Sequence, residues 1–336
     1  MLPIWKDYYV DFGAVESQSY IITDESGNTL YSGKAYRRPG ETNCKIRVND
    51  VCRNYLSTSL PPSLNNGTFY ADPGLLVTFH VKSADGKTTY ASPAFIPDWS
   101  YEEMTTEREM FNDCAISGEA DRRQLLIVSG FDMADQDVEL YYKDGTTQVL
   151  TLPLVDFSKK DYNADFSISG DAANGNGTYV LDLACYPELA AVCLGNTTYR
   201  IATECSRYVL YYVNAYGGWD SLVVKGTAKE VDSYTRSTHQ RDYDNGTAAA
   251  RGKVNYLNSY IKKLTLQSGW LDDKACGRMH HLLGSVNVYL YDTVLGEMRP
   301  VVLTDTACEY KSYRTNGNKL TSYTINVELA QERVRR

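Results

Sequence analysis

The chain has 336 residues, enough for two or three domains that each bury a core without metals or disulfides. Its 42 acidic side chains against 34 basic ones leave a net charge of −8, which opposes the phosphate neutralisation that nucleic-acid binding needs. No run approaches the ~20 apolar residues of a membrane span, and the amino terminus lacks the basic start and apolar stretch of a signal peptide.

Residues 19–37, SYIITDESGNTLYSGKAYR, alternate as paired strands do, with Tyr20, Ile22 and Leu30 in extended runs around a turn at Asp24 to Asn28. RVNDVCRNYLS at 47–57 changes to helical spacing: Val48, Val51, Cys52, Tyr55 and Leu56 share a face, Asn49 is the expected cap and Pro61-Pro62 the stop. Val77, Phe79 and Val81 alternate before an Asp85-Gly86 turn and a return strand through Thr89 to Ala91, which closes an N-terminal β-rich domain at 1–98. An acidic, Pro-containing linker is expected at 99–121. Short strands then follow one another through 122–226, as in a β-sandwich-like domain. Residues 227–253 are polar and nearly free of large aliphatics, the composition of an exposed arm or long loop. The last block, 254–336, combines strands with a helix from Asp272 to Leu283, whose Leu271, Ala275, Arg278, Met279, Leu282 and Leu283 place the aliphatic positions on one face. Asp272 and Asp273 stand at its dipole-favoured start, and the block is expected to be α+β with an antiparallel sheet.

Tyrosine dominates the aromatics, 28 against 8 Phe and 4 Trp, so much of the apolar surface carries a hydroxyl suited to strands and wet interfaces. The eight cysteines, at 44, 52, 114, 185, 193, 205, 276 and 308, form no C-x-x-C pair and are read as small buried hydrophobes in a reducing compartment. Four N-x-[ST] sequons, at Asn66, Asn176, Asn196 and Asn245, read as Asn- and Gly-rich turns.

Chemistry-bearing constellations are sparse. Cys276 and His280 are four apart on the expected helix, but two soft ligands leave a zinc site incomplete. There is no G-x-S-x-G nucleophile turn and no phosphate-cradling glycine loop. The acid pairs Glu102-Glu103 and Asp272-Asp273 have the spacing of solvated surface. No catalytic residue, cofactor or metal set is therefore expected. Trp5, Trp99, Trp219 and Trp270 suit core or interface packing, with sugar stacking as the other use, and ERVRR places Arg333, Arg335 and Arg336 at an end able to meet acidic patches. Trp219, Trp270, Arg333, Arg335 and Arg336 are the candidate interface residues.

YVNAYGGWDSLVVKG at 212–226, LTLQSGWLDDKACGRMHHLLGSVNVYLYD at 264–292 and LTSYTINVELAQERVRR at 320–336 resemble virion proteins of tailed phages of Bacteroidota, crAss-like phages included; LYSGKAYRRPGETNCKIRVNDVCRNYL at 30–56 is similar to proteins of the same structural modules. The resemblance implies a mainly β chain of tandem β-sandwich-like domains, with a C-terminal α+β assembly domain similar to tail-tube and distal-tail domains. It implies a non-enzymatic neck, collar, tail or baseplate component, in a ring or spike with copies of itself and other virion proteins, assembled in the bacterial host cytoplasm. The alternative is a carbohydrate- or receptor-binding module presenting aromatic side chains.

Overall fold

The computed structural model describes residues 2–56, 60, 64–71, 74–75, 77–84, 86, 88–97, 118–130, 137–151, 154–156, 177–194, 197–201, 206–240, 252–271, 273–305, 309–315, 318–331 and 333–335. Among these the chain is mainly β, with several antiparallel sheets and only short helices. It divides into two compact units, one of Met1–Gly118, Leu125–Ile201 and Val213–Asp220, the other of Glu119–Gln124, Ala202–Tyr212 and Ser221–Arg336. The expected linker at 99–121 lies outside the described residues up to 117, as do Trp99, the Glu102-Glu103 pair, Pro61-Pro62 and Asp272.

In the first unit the expected hairpin is Ser17–Thr23 paired with Thr29–Tyr36. Its turn is held by Asp24, whose carboxylate accepts the Asn28 backbone N–H at 2.7 Å and the Asn28 amide at 2.8 Å. His80–Ser83 and Thr89–Ala91 complete a four-stranded sheet. Ile22 and Val81 turn inward from these strands and, with Phe79 just before one of them and Phe95 from the separate strand Phe95–Ile96, pack with Ile4, Val10, Ile46, Val48, Cys44 and Cys52. Each large aliphatic or aromatic side chain buried this way contributes about 1.5 to 3 kcal/mol.

The helical spacing at 47–57 yields less helix than expected: one turn at Asn49–Cys52 and a 3-10 turn at Arg53–Tyr55. Asn49 does not cap it, because Val48 holds the cap position and makes no side-chain bond there. The buried Asn49 amide is used elsewhere, accepting the Tyr8 N–H at 2.7 Å and donating to the carbonyls of Ile4 at 2.8 Å and Lys6 at 2.7 Å. The N-terminal turn from Ile4 to Tyr8 is thereby fastened to the helical segment, which satisfies backbone groups that would otherwise be left unpaired.

Thr68–Ala71 pairs antiparallel with Gly177–Asp182 and parallel with Leu154–Asp156, while Gly177–Asp182 also pairs with Leu125–Gly130. Residues from the expected 1–98 and 122–226 blocks so share one sheet. A further sheet is built on the hairpin of Asp137–Tyr142 and Thr147–Thr151, with Leu189–Leu194 and Thr197–Ile201 added beside it.

The second unit is organised by one large antiparallel sheet. Within this unit its order runs 221–223, 208–212, Val288–Asp292, Glu297–Leu303, Asn318–Leu329, Lys253–Leu271 and Ala228–Gln240; Glu309–Thr315 adds to Asn318–Leu329, and Arg333–Arg335 to Lys253–Leu271. We call Lys253–Leu271 the spine strand and Ala228–Gln240 the arm strand. The helix Asp273–Gly284 follows the spine strand directly and packs on it and on Asn318–Leu329, with Met279 and Leu282 buried against Leu264, Leu266, Leu271, Ile325 and Val327. The side chains of Ala275 and Arg278 lie outside the described ones. Among the described residues no helix is long and apolar enough to cross a membrane.

One irregularity decides which spine side chains meet solvent. Gln267 stands opposite Thr324 and Trp270 opposite Ser322, so Ser268 and Gly269 together face Tyr323. Before this bulge Leu264 and Leu266 point inward; after it the alternation is inverted, so that Leu271 is buried and Trp270 is 55% exposed. Gly269 permits the bulge by adopting φ +77°, where a Cβ would also lie 2.9 Å from the Lys225 Cβ. Ser268 Oγ accepts the Tyr323 N–H at 3.0 Å, satisfying a donor that the bulge displaces from the ladder.

Candidate functional site

The region expected as a polar arm or long loop contains a 13-residue strand. Ala228–Gln240 has no Gly or Pro and carries Val231, Tyr234, Thr235 and Thr238, residues that favour extended backbone. It pairs with the spine strand from Leu266 back to Lys253, with one shift where Tyr256 is the extra residue on the spine side. Residues 258–260 of the spine strand gain a second partner in Arg333–Arg335, and residues 263–271 in Asn318–Leu329. The outer part, 237–240 with 253–257, is a ribbon of two strands only among the described residues. Every arm residue except Ser237 is exposed, and among the described residues no strand pairs with the arm's outer edge. Residues 241–251 lie outside the described ones.

The arm is tied to the sheet by a charged root. Glu230 accepts from Lys262 Nζ at 2.7 Å, from the Tyr208 hydroxyl, and pairs with Arg207 Nη1 at 3.1 Å. Arg207 reaches Asp292 Oδ2 at 3.2 Å through Nη2, and its guanidinium lies 4.9 Å from the Tyr208 ring centre. Asp292 in turn accepts the N–H groups of Val294 at 2.9 Å and Leu295 at 3.2 Å, which fixes the turn beyond its strand. The hydrogen bonds from Lys262 and then from Tyr208 hold the Glu230 carboxyl below its ordinary range. Burial, and then the bond to Glu230, push the Tyr208 phenol well above its own.

A cavity of about 170 Å³ opens at this root, lined among others by Arg207, Glu230, Lys262, Asp292, Arg299 and Leu264. That is smaller than the roughly 300 Å³ at which small-molecule sites begin. The three cations are already engaged, Arg299 by Glu297 at 3.1 Å through Nε and through Nη2. This chemistry anchors the arm and leaves no unpaired charge among these groups for an anion.

Trp219 is buried, 1% exposed, and its backbone N–H lies 3.3 Å from Ser129 Oγ, so its ring is not at the surface of the chain. Trp270 is exposed on the spine strand. Arg333 and Arg335 are placed by backbone pairing opposite Tyr260 and Asn258, on the edge of the spine strand away from the arm, and Arg336 lies outside the described residues. Cys276 packs half-buried against the core while His280 is exposed, so the pair does not share one environment. Among the described residues no three His, Cys, Asp or Glu side chains converge as metal ligands. Cys44 and Cys52 are buried free thiols, and burial pushes Cys52 up to about 12, whereas Cys185 is exposed.

Sequence reasoning did not find the charged root. Glu230, Lys262 and Asp292 sit on three strands and Arg207 just before a fourth, and they carry no local spacing signal. Compared with protein-family models and with curated proteins, the chain matches none.

Proposed function

We propose that this chain is a non-enzymatic structural protein that works by assembling with copies of itself and with other proteins, as a ring, collar, tail or baseplate component of a tailed-phage virion. The observation that carries this reading is the arm, a 13-residue strand exposed on both faces whose outer edge no strand pairs among the described residues. A two-stranded ribbon is marginal in water by itself, and an open edge invites pairing. An assembled neighbour supplies the contacts that such an element lacks. The resemblance at 212–226, 264–292 and 320–336 supports the virion setting, and the mainly β build is compatible with tandem sandwiches and a tail-tube-like last domain. Mass spectrometry and imaging of particles from the culture that encodes the chain test this: the expected result is a fixed copy number in a symmetric ring or spike. A chain found only free in the lysate overturns it.

A second reading rests on aromatics. Trp270 is 55% and Tyr313 60% exposed, and the register Trp270 to Ser322 to Lys311 puts both on one face of the sheet. A shallow platform of this kind suits stacking on a sugar. Glycan-array binding that Trp270→Ala abolishes, by a chain absent from particles, would establish this reading in place of the first.

A further inference from the structure

We infer that the arm strand pairs with the same strand of a second copy, antiparallel about a two-fold axis through Tyr234. This rests on the assembly reading and specifies one of its contacts.

The outer edge of Ala228–Gln240 offers N–H and C=O groups of alternate residues that pair with no strand among the described residues. In an antiparallel pair, opposed residues exchange bonds, so both must direct those groups outward. Two copies of one strand meet this condition only when the opposed residue numbers are both even or both odd. Registers differing by one residue are excluded, and those that remain differ in steps of two.

The register that sets Ala228 opposite Gln240 overlaps the whole strand and makes roughly a dozen backbone hydrogen bonds. It sets Tyr234 opposite itself and Asp232 opposite Arg236 on both sides of the axis. Among the described residues neither Asp232 nor Arg236 has an ion-pair partner, although Lys262 is the register partner of Asp232; Lys262 is drawn to Glu230 instead. Their charges are free for a neighbour and are self-complementary about Tyr234. Tyr234, 58% exposed and leaning on Tyr260 at 5.6 Å, supplies an aromatic centre on the same face.

Competing arrangements fit less well. Sliding by two residues to oppose Glu230 and Arg236 shortens the overlap and draws on a carboxylate already engaged by Lys262, Arg207 and Tyr208. A parallel in-register pair places Asp232 beside Asp232 and Arg236 beside Arg236, which like-charge repulsion disfavours. The bulge at Tyr256 lies on the spine side, so the arm strand keeps a regular edge along its length.

Sedimentation of the full chain and three variants tests the pairing. The wild type is expected to dimerise; Asp232→Arg and Arg236→Asp, each setting like charges opposite one another twice, are expected to weaken the dimer roughly tenfold or more. The combined D232R/R236D variant is expected to regain it. Because these side chains are exposed, thermal unfolding of the monomer serves as a check that the fold is unchanged. Tyr234→Cys is expected to give an interchain disulfide that Val231→Cys does not, above the background of the native cysteines. Self-association indifferent to the single reversals, or not regained by the double swap, overturns the edge pairing and leaves the assembly reading standing. A wild type that stays monomeric to about 100 μM, on the order of the weakest useful contacts, overturns the pairing too, and the particle test then decides the assembly reading separately.

Discussion

Single backbone positions decide where this chain can present side chains. Gly269 adopts φ +77° in the spine strand with a neighbouring Cβ close by, whereas Gly296 adopts φ +67° in a turn with nothing near it. Both pay conformational strain on substitution, but only Gly269 also meets a steric obstacle. Gly296→Ala is expected to cost about 1 kcal/mol and Gly269→Ala about 2 to 4 kcal/mol in urea unfolding. Equal costs would show that the bulge tolerates a Cβ. The cysteines follow the same logic of place: Cys44 and Cys52 are core side chains as their residue type suggests, while Cys185 stands in solvent. Nothing in the residue type distinguishes Cys185 from the other two, so its exposure was not legible from composition.

At the scale of elements, legibility depended on whether a segment buries one face. The hairpin of Ser17–Thr23 and Thr29–Tyr36 and the helix at Asp273–Gly284 have such a face, and their periodicity announced them to within a residue or two. The arm strand buries neither face, so alternation gave no signal and polarity read as loop. Its root was illegible for a different reason: Glu230 meets Tyr208 across 22 residues and Lys262 across 32, and Arg207 meets Asp292 across 85, so strand register alone brings them together. The lowered Glu230 carboxyl makes the root pH-dependent with a definite sign. Its stabilisation is present above the ordinary value of 4.5 and is lost as pH falls through the depressed folded value. Glu230→Gln is therefore expected to lower Tm by roughly 2 to 4 °C at pH 7, with the difference from wild type closing as the pH is taken below about 4. A difference that stays constant across that range would mean the loss is packing and not charge.

For the molecule as a whole, the arm and the core of the second unit are separable in physical terms. Leu264, Leu266, Leu271, Met279, Ile325 and Val327 lie at the sheet centre, whereas residues 236–240 and 253–258 add no member to that cluster. Replacing 236–258 with an Asn-Gly turn joining Thr235 to Ser259, which are register partners, is expected to leave Tm within a few degrees of wild type and to abolish self-association. Loss of folding in that variant would show that the ribbon stabilises the sheet beneath it. The first unit carries a different consequence, one of time. Thr68–Ala71 finds its antiparallel partner in Gly177–Asp182, so the strand leaves the ribosome on the order of ten seconds before its neighbour does. During that interval Tyr70, buried in the finished protein, has no sheet to enter. Productive yield should then be governed by how quickly the intervening chain is delivered, and slow translation or a crowded host would divert this protein into aggregates before its equilibrium stability mattered.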